Sequence, residues 1–335
     1  MEILVAGGAG YIGSHTVAEL LEMGHKVITF DSLQKGHKEA VLGGEFIEGN
    51  LLNQEDIEKV FKKNTIDAVI HFAADSLVGE SMEKPDKYFR NNDIGGMNLL
   101  SAMIKYNTKK IIFSSTAATY GEPEKVPIEE NNATIPTNPY GESKLIFEKI
   151  LKWHDTAYGI KYASLRYFNA AGAHKSGKIG EDHNPESHLI PIVLQSALGK
   201  RDCVSIFGDD YPTEDGTCVR DYIHVTDLAM AHILALKKLE SNGESAIYNL
   251  GNGKGFSVKQ IIDVARKVTG KDIKTKIVGR RAGDPAVLIA SSDKIKKQLN
   301  WNPQYADIAK IIESAWVWHK NHPDGYKKRP TQNYA

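Results

Sequence analysis

Only two cysteines, Cys203 and Cys218, occur in 335 residues. That is too few for a disulfide framework, and neither their spacing nor their neighbours form a metal-ligand pattern. No metal site is expected on that ground. An excess of either charge is also missing: Lys plus Arg (42) equals Asp plus Glu (42). With no basic block of five or more, nucleic-acid binding has no electrostatic support. No apolar stretch approaches the ~20 residues that cross a bilayer. The chain enters a strand pattern at once, without the basic region and apolar core of a signal peptide. A cytoplasmic protein with no membrane or nucleic-acid partner is the expectation. Repeats, low-complexity tracts and flexible linkers are absent too. The length suits two lobes sharing a cleft.

What is present begins three residues in. The apolar run Ile3-Leu4-Val5 enters Gly7-Gly8-Ala9-Gly10-Tyr11-Ile12-Gly13, and an amphipathic segment follows with Ile12, Val17, Leu20 and Leu21 on one side. This reads as strand, tight turn and helix. Gly7, Gly10 and Gly13 have the spacing that lets backbone approach a pyrophosphate, which then sits at the positive end of the helix. A second apolar run, Val27 to Phe30, ends in Asp31, where a carboxylate would meet ribose hydroxyls and repel a 2′-phosphate. NAD is therefore expected rather than NADP.

Strand and helix periods then alternate: strands at 2–6, 26–31, 46–47, 68–74 and 111–113, helices at 12–23, 54–63 and about 86–106. A loop spans 121–138. Pro139 opens a helix, 163–168 is a strand, and helices are predicted at 188–198, 225–239, 257–269, 292–299 and 306–319. Short strands are expected at 204–207 and 247–251, with 221–225 leading into the helix that ends at Leu239. The buried apolar runs predict an α/β fold: a Rossmann-type doubly wound parallel sheet with a smaller, discontinuous C-terminal substrate-binding lobe. The NAD-binding part is assigned to 1–168 plus about 219–250, and the second lobe to about 169–218 plus 251–335. Gly7 to Gly13, Asp31, Asn50, Phe72 to Ala74 and Ser114 to Thr116 all fall at carboxyl ends of predicted strands, where ligands of such sheets bind.

Tyr140 and Lys144 stand at i and i+4 on one helix face. A tyrosine titrates near pH 10, and a nearby ammonium with a positively charged nicotinamide would lower that value and make it a base. Thr116 could hydrogen-bond the same substrate oxygen. His71, His154 and His232 read as structural or exposed, and Trp301, Trp316 and Trp318 as core or rim.

With these residues in view, the chain resembles the extended short-chain dehydrogenase/reductases, and within them the UDP-glucose 4-epimerases, over essentially its whole length. Besides Gly7–Gly13 and Tyr140–Lys144, the resemblance rests on Val78-Gly79-Glu80-Ser81, Leu165-Arg166-Tyr167-Phe168-Asn169 and Tyr211-Pro212-Thr213-Glu214-Asp215-Gly216-Thr217. It also rests on Val219-Arg220-Asp221-Tyr222-Ile223-His224 and Tyr248-Asn249-Leu250-Gly251. It implies C4 epimerisation of a UDP-hexose through a transient 4-keto sugar, tightly held NAD, and a homodimer formed by the helices at 86–106 and 140–157. Tyr140 is then the base, Lys144 holds the nicotinamide ribose, and Thr116 positions the hydroxyl. Cofactor contacts are expected from Gly7, Gly10, Tyr11, Ile12, Gly13, Asp31, Asn50, Leu51, Phe72, Ala73, Ala74, Asn91, Ser114, Lys144 and Phe168. Substrate contacts are expected from Thr116, Tyr140, Asn169, His188, Leu189, Phe207, Arg220, Arg281, Asp284 and Leu288, the arginines on the phosphates.

Four positions depart from the family pattern. Asn50 stands where many relatives carry aspartate, Ser76 where some have lysine, His188 where asparagine is frequent, and Leu288 where a tyrosine restricts the pocket to the plain hexose. The smaller leucine leaves room for N-acetylated sugars. A 4,6-dehydratase would need an acid–base pair after Thr116, and Ala117 and Ala118 occupy those places. A UDP-glucuronate or UDP-GlcNAc-specific 4-epimerase is the alternative within the scaffold, and a non-catalytic NAD-binding sensor the alternative outside it.

Overall fold

The computed structural model describes residues 1–241, 243–281 and 284–326. The first half alternates β1 (Glu2–Ala6), α1 (Tyr11–Glu22), β2 (Lys26–Asp31), β3 (Glu45–Glu48), α2 (Gln54–Lys63) and β4 (Ala68–His71). There follow α3 (Val78–Glu83), α4 (Pro85–Tyr88), α5 (Gly95–Lys105), β5 (Lys110–Ser114), α6 (Pro139–Tyr158) and β6 (Lys161–Tyr167). The second half contains β7 (Asn169–Ala171), α7 (Leu189–Ala197), β8 (Val204–Phe207), β9 (Val219–His224), α8 (Val225–Glu240) and β10 (Ala246–Leu250). It closes with β11 (Gly255–Ser257), α9 (Val258–Thr269), β12 (Thr275–Val278), β13 (Val287–Leu288), α10 (Asp293–Leu299) and α11 (Ile308–Asn321). No helix among the described residues is long and apolar enough to cross a membrane.

Seven strands form one sheet in the order β3-β2-β1-β4-β5-β6-β10, and every pairing is parallel. Strands buried on both faces need apolar residues at successive positions, which is what Ile3-Leu4-Val5 and Val69-Ile70 supply. The pleat divides them: Ile3 and Val5 pack with Val17, Leu20, Leu228 and Trp301, while Leu4 and Ala6 pack with Ile57, Leu99, Phe147 and Leu151. Helices α1, α8 and α10 thus cover one face and α2, α5 and α6 the other. Each such core side chain contributes roughly 1.5–3 kcal/mol by leaving water. The strand order reverses between β1 and β4, so a crevice opens beyond their carboxyl ends.

A second core joins α7, α9 and α11, with Val193, Leu194, Ile261, Ile262, Ile311 and Ile312 fully buried. Two small sheets accompany it: β8 with β12, and β9 flanked by β11, β13 and β7. The structure redraws two expectations, and part of a third lies outside the described residues. The strand at 219–224 pairs outside the main sheet, so of the segment 219–250 only α8 and β10 return to it. The helix expected at 86–106 carries six π-helical residues, Phe89–Ile94, in its path. Residues 327–335 of the second lobe's assigned span lie outside the described residues.

Candidate active site

The crevice at the β1/β4 switch is lined by Gly7, Gly10, Asp31, Asn50, Leu51, Phe72, Ala73, Ala74 and Asn91. The glycines explain why backbone can surround it. Gly7 has φ +81°, and a Cβ there would lie 2.4 Å from the Ala73 amide nitrogen. Gly13 is buried one turn into α1, against the Gly7 carbonyl. The first turn of α1 holds no acidic residue, and its opening N–H groups, Tyr11 and Ile12 among them, lack intrahelical acceptors. The result is a cradle for an anion.

Asp31 ends β2 with Oδ2 accepting from the Ala9 N–H at 2.9 Å and Oδ1 from the Leu33 N–H at 2.8 Å. Burial raises its pKa, and these two N–H groups oppose the rise. The carboxylate is aimed before any ligand arrives. Asn50 Oδ1 accepts from the Leu52 N–H at 2.9 Å, leaving its second lone pair for an adenine amino group. The Tyr11 hydroxyl is committed, donating to the Gly172 carbonyl at 2.6 Å, so only the Tyr11 backbone faces an anion. Sequence reasoning missed Lys35, an exposed cation that lines the crevice and donates to the Asn184 carbonyl at 2.9 Å, while Ser76 is exposed. It also missed Asn92. Its side chain accepts from the Asp75 N–H at 2.8 Å and donates to the Asp75 carbonyl at 3.1 Å and Ser143 Oγ at 3.0 Å. That clamps the strand-end loop to α6.

On the neighbouring strand ends sits the Tyr140 group. Asn138 caps α6, accepting from the Gly141 N–H at 2.9 Å, and Pro139 opens it. Gly141 brings the helix close: a Cβ there would lie 2.5 Å from the Ala118 carbonyl oxygen. Half-buried Tyr140 thereby opens α6 beside the turn that Thr116 begins. Burial pushes the phenol above its ordinary value, and the neighbouring Thr116 hydroxyl pulls it back in part. The lowering expected from Lys144 is not expressed in the chain alone. Lys144 is buried beneath, its Nζ donating to the Ser114 carbonyl at 2.9 Å and lying 4.8 Å from the Phe113 ring centre. Burial brings its pKa down to about 8, against Asp93 and Glu148, which push it up. Ser114 Oγ and the Tyr167 hydroxyl are 2.5 Å apart. His71 and His232 are buried and held neutral, with burial taking them to about 3 and 4.

The expected substrate residues divide into adjoining groups. Arg220 on β9 is paired with Asp284 and donates from Nη1 to the Val219 carbonyl at 2.7 Å. Leu288 is in register with Arg220 and packs beside Phe168 on Ala117, Tyr120 and Ile128. It therefore touches the turn that carries Thr116. Phe207, at the end of β8, lies under the Arg281 guanidinium at 3.9 Å. Asn169 donates to the Asp221 carbonyl at 3.0 Å. His188 precedes α7 and Leu189 begins it. His188 Nδ1 faces Glu181 and Glu186, each at 3.0 Å.

The model of the NAD dependent epimerase/dehydratase family matches residues 3–251. A UDP-glucose 4-epimerase of Halalkalibacterium halodurans is 59% identical over 326 residues, covering 97% of this chain and 98% of that one. A crystal structure of a UDP-glucose 4-epimerase shares 54% identity with a TM-score of 0.96 over 98% of this chain and 100% of its own. The Bifidobacterium longum UDP-glucose 4-epimerase, crystallised with NAD+ and UDP, is similar at 40% identity and a TM-score of 0.92, covering 97% of this chain and 100% of that one.

Proposed function

This chain belongs to the NAD dependent epimerase/dehydratase family, and we propose that it inverts C4 of the hexose between UDP-glucose and UDP-galactose. It is an NAD-dependent isomerase, a UDP-glucose 4-epimerase by activity. The observation that carries this reading is the placement of Tyr140 and Lys144, one turn apart on α6, beside the strand end Ser114 to Thr116, with Lys144 Nζ donating to the Ser114 carbonyl at 2.9 Å. An elimination would need acids after Thr116, and two alanines stand there.

The NAD cradle is Gly7 to Gly13, Asp31, Asn50, Leu51, Phe72 to Ala74 and Asn91, with Lys144 and Phe168 toward the reacting end. When bound, NAD supplies the hydride acceptor and donor for C4 together with a positive charge. Thr116 orients the 4-hydroxyl, and Tyr140 takes its proton as phenolate. The sugar oxygen becomes a carbonyl, and Tyr140 returns the proton when C4 is re-formed on the opposite face. Lys144 favours the phenolate electrostatically. The lobe around α7, α9 and α11 holds the nucleotide, with Arg220 and Arg281 on the diphosphate, Asp284 on the ribose or uridine, and Leu189, Phe207, Asn169 and His188 lining the rest. Leu288 borders the sugar.

Homodimerisation through α5 and α6 is part of this reading. Ile94 and Met97 are about half exposed and Trp153 is 68% exposed, an apolar stripe that needs a cover. The free thiols Cys203 and Cys218 suit a reducing cytoplasm. The test is Tyr140→Phe. UDP-galactose turnover should fall by roughly 10²–10⁴ with NAD content unchanged, and undiminished turnover would sink the mechanism.

A further inference from the structure

The segment between β7 and α7 folds four side chains onto one another: Glu181, His183, Glu186 and His188. One ligand atom from each lies within 4.8 Å of all the others. His188 Nδ1 is 3.0 Å from Glu181 Oε1 and 3.0 Å from Glu186 Oε1. His183 Nδ1 is 3.2 Å from Glu181 Oε1 and 3.8 Å from Glu186 Oε2. Of these approaches only His188 to Glu186 has the direction of a hydrogen bond. Glu181 is 4% exposed at its side chain, and its Oε1 is buried with no hydrogen-bond partner, as is His183 Nδ1. A buried carboxylate oxygen thus stands beside two imidazole nitrogens without being in line with either N–H. Burying such an oxygen unpaired is costly. Atoms that converge in this way share a centre rather than pairing with each other.

We propose that Glu181, His183, Glu186 and His188 form a site for one divalent transition-metal cation, with Zn2+ the best match. Two imidazole nitrogens and two carboxylate oxygens are four donors of types that Zn2+ binds, enough to fill a tetrahedral shell. This goes beyond the metal-free expectation drawn from the cysteines. The neighbouring contacts define the role. Within the same loop the Asn184 carbonyl accepts from Lys35 Nζ at 2.9 Å, and the Asp182 carbonyl meets His37 Nε2 at 3.0 Å. Asp182 Oδ2 accepts from the Tyr326 N–H at 2.9 Å. The His183 ring centre is 6.0 Å from that of Tyr11, at the opening of α1. His188 is the last residue before α7. A cation held here fastens the loop against the rim of the NAD crevice and fixes where α7 begins. The role is structural, and no bond of the substrate is made or broken at it.

The experiment uses untagged full-length protein with its bound NAD, stripped with chelator and then given ZnCl2. Metal content after gel filtration and the melting temperature are the readouts, with MgCl2 as the comparison. One equivalent of Zn2+ retained, with a raised melting temperature that MgCl2 does not reproduce, is expected. His183→Gln and Glu181→Gln should each lose the retained metal and the shift while keeping NAD. Should one variant fail to fold, the other carries the comparison. No Zn2+ retained by the parent protein, or equal retention in a folded variant, overturns the proposal and leaves a proton-linked cluster of ion pairs. Metal content is read independently of turnover, so failure here does not touch the epimerase reading.

Discussion

Glu148 grips Arg166 with both carboxylate oxygens in the interior, one helical turn beyond Lys144: Arg166 Nε donates to Oε1 at 2.9 Å and Nη2 to Oε2 at 2.5 Å. Ser115 Oγ donates to the same Oε1 at 2.5 Å, and the guanidinium lies 4.8 Å from the Tyr120 ring centre. The pair therefore ties α6 to β6 and to the strand end that carries Thr116. Glu148→Gln would leave a buried guanidinium without its counter-charge, which costs about 3–5 kcal/mol. Urea unfolding should show that loss, and the double variant Glu148→Gln with Arg166→Met should recover much of it. A single variant as stable as the parent would show that the pair does not organise α6.

A pH dependence follows from the same neighbourhood. Burial pulls the Lys144 ammonium down to about 8, while Asp93 and Glu148 push it up. The ammonium is the form that favours a Tyr140 phenolate, so kcat/KM should fall as pH rises through the Lys144 pKa. Asp93 is itself raised to about 7, first by burial, so it is largely ionised where Lys144 titrates. Asp93→Asn removes a negative charge that supports the ammonium. The alkaline limb of kcat/KM for UDP-galactose should then move to lower pH. A limb that stays in place or moves up would show that Lys144 does not govern it.

These two relationships also mark what could be read from residues alone. The seven-stranded sheet was legible because strands buried on both faces must be continuous apolar runs. Tyr140 and Lys144 were legible because a four-residue spacing forces them onto one helix face. The strands at 255–257, 275–278 and 287–288 were not, since they are two to four residues long and mostly exposed or half-buried. The π turn at Phe89–Ile94 keeps the flanking apolar periodicity and so leaves no mark in the pattern, yet it carries Asn91, Asn92 and Asp93. The Arg220–Asp284 pair joins residues 64 apart and depends on β9 and β13 meeting. Glu181 to His188 does carry a signal, five ligand-type side chains in eight residues, which His188 taken singly does not show.

In the proposed site Leu288 is expected to limit how much sugar the pocket accepts. It packs with Phe168 on the cluster of Ala117, Tyr120 and Ile128, next to the turn that Thr116 begins. Leu288→Tyr should leave UDP-galactose turnover within a few-fold of the parent. It should also reduce any conversion of UDP-N-acetylgalactosamine by at least ~10-fold, a discrimination of the size a steric change in a pocket supplies. If the parent converts no N-acetylated sugar at all, the space beside Leu288 is not part of the sugar site.

The exposed stripe on α5 and α6 should be an interface between two copies. Met97 is 47% and Trp153 68% exposed, while Gly96, buried beside Met97, lets Phe147 of α6 pack against α5. The two helices thus form one rigid surface, and a second copy can cover it by presenting the same surface. A self-complementary face of this kind closes a two-fold dimer. Met97→Glu with Trp153→Glu places like charges across such an axis, where they meet their own counterparts. Light scattering coupled to gel filtration should give twice the chain mass for the parent and one chain mass for the variant. Tyr140, Thr116 and Lys144 lie on the opposite side of α6, against β5, so the isolated chain should keep its NAD. A variant that remains dimeric would place the interface elsewhere, because two buried glutamates on each side could not be accommodated in it.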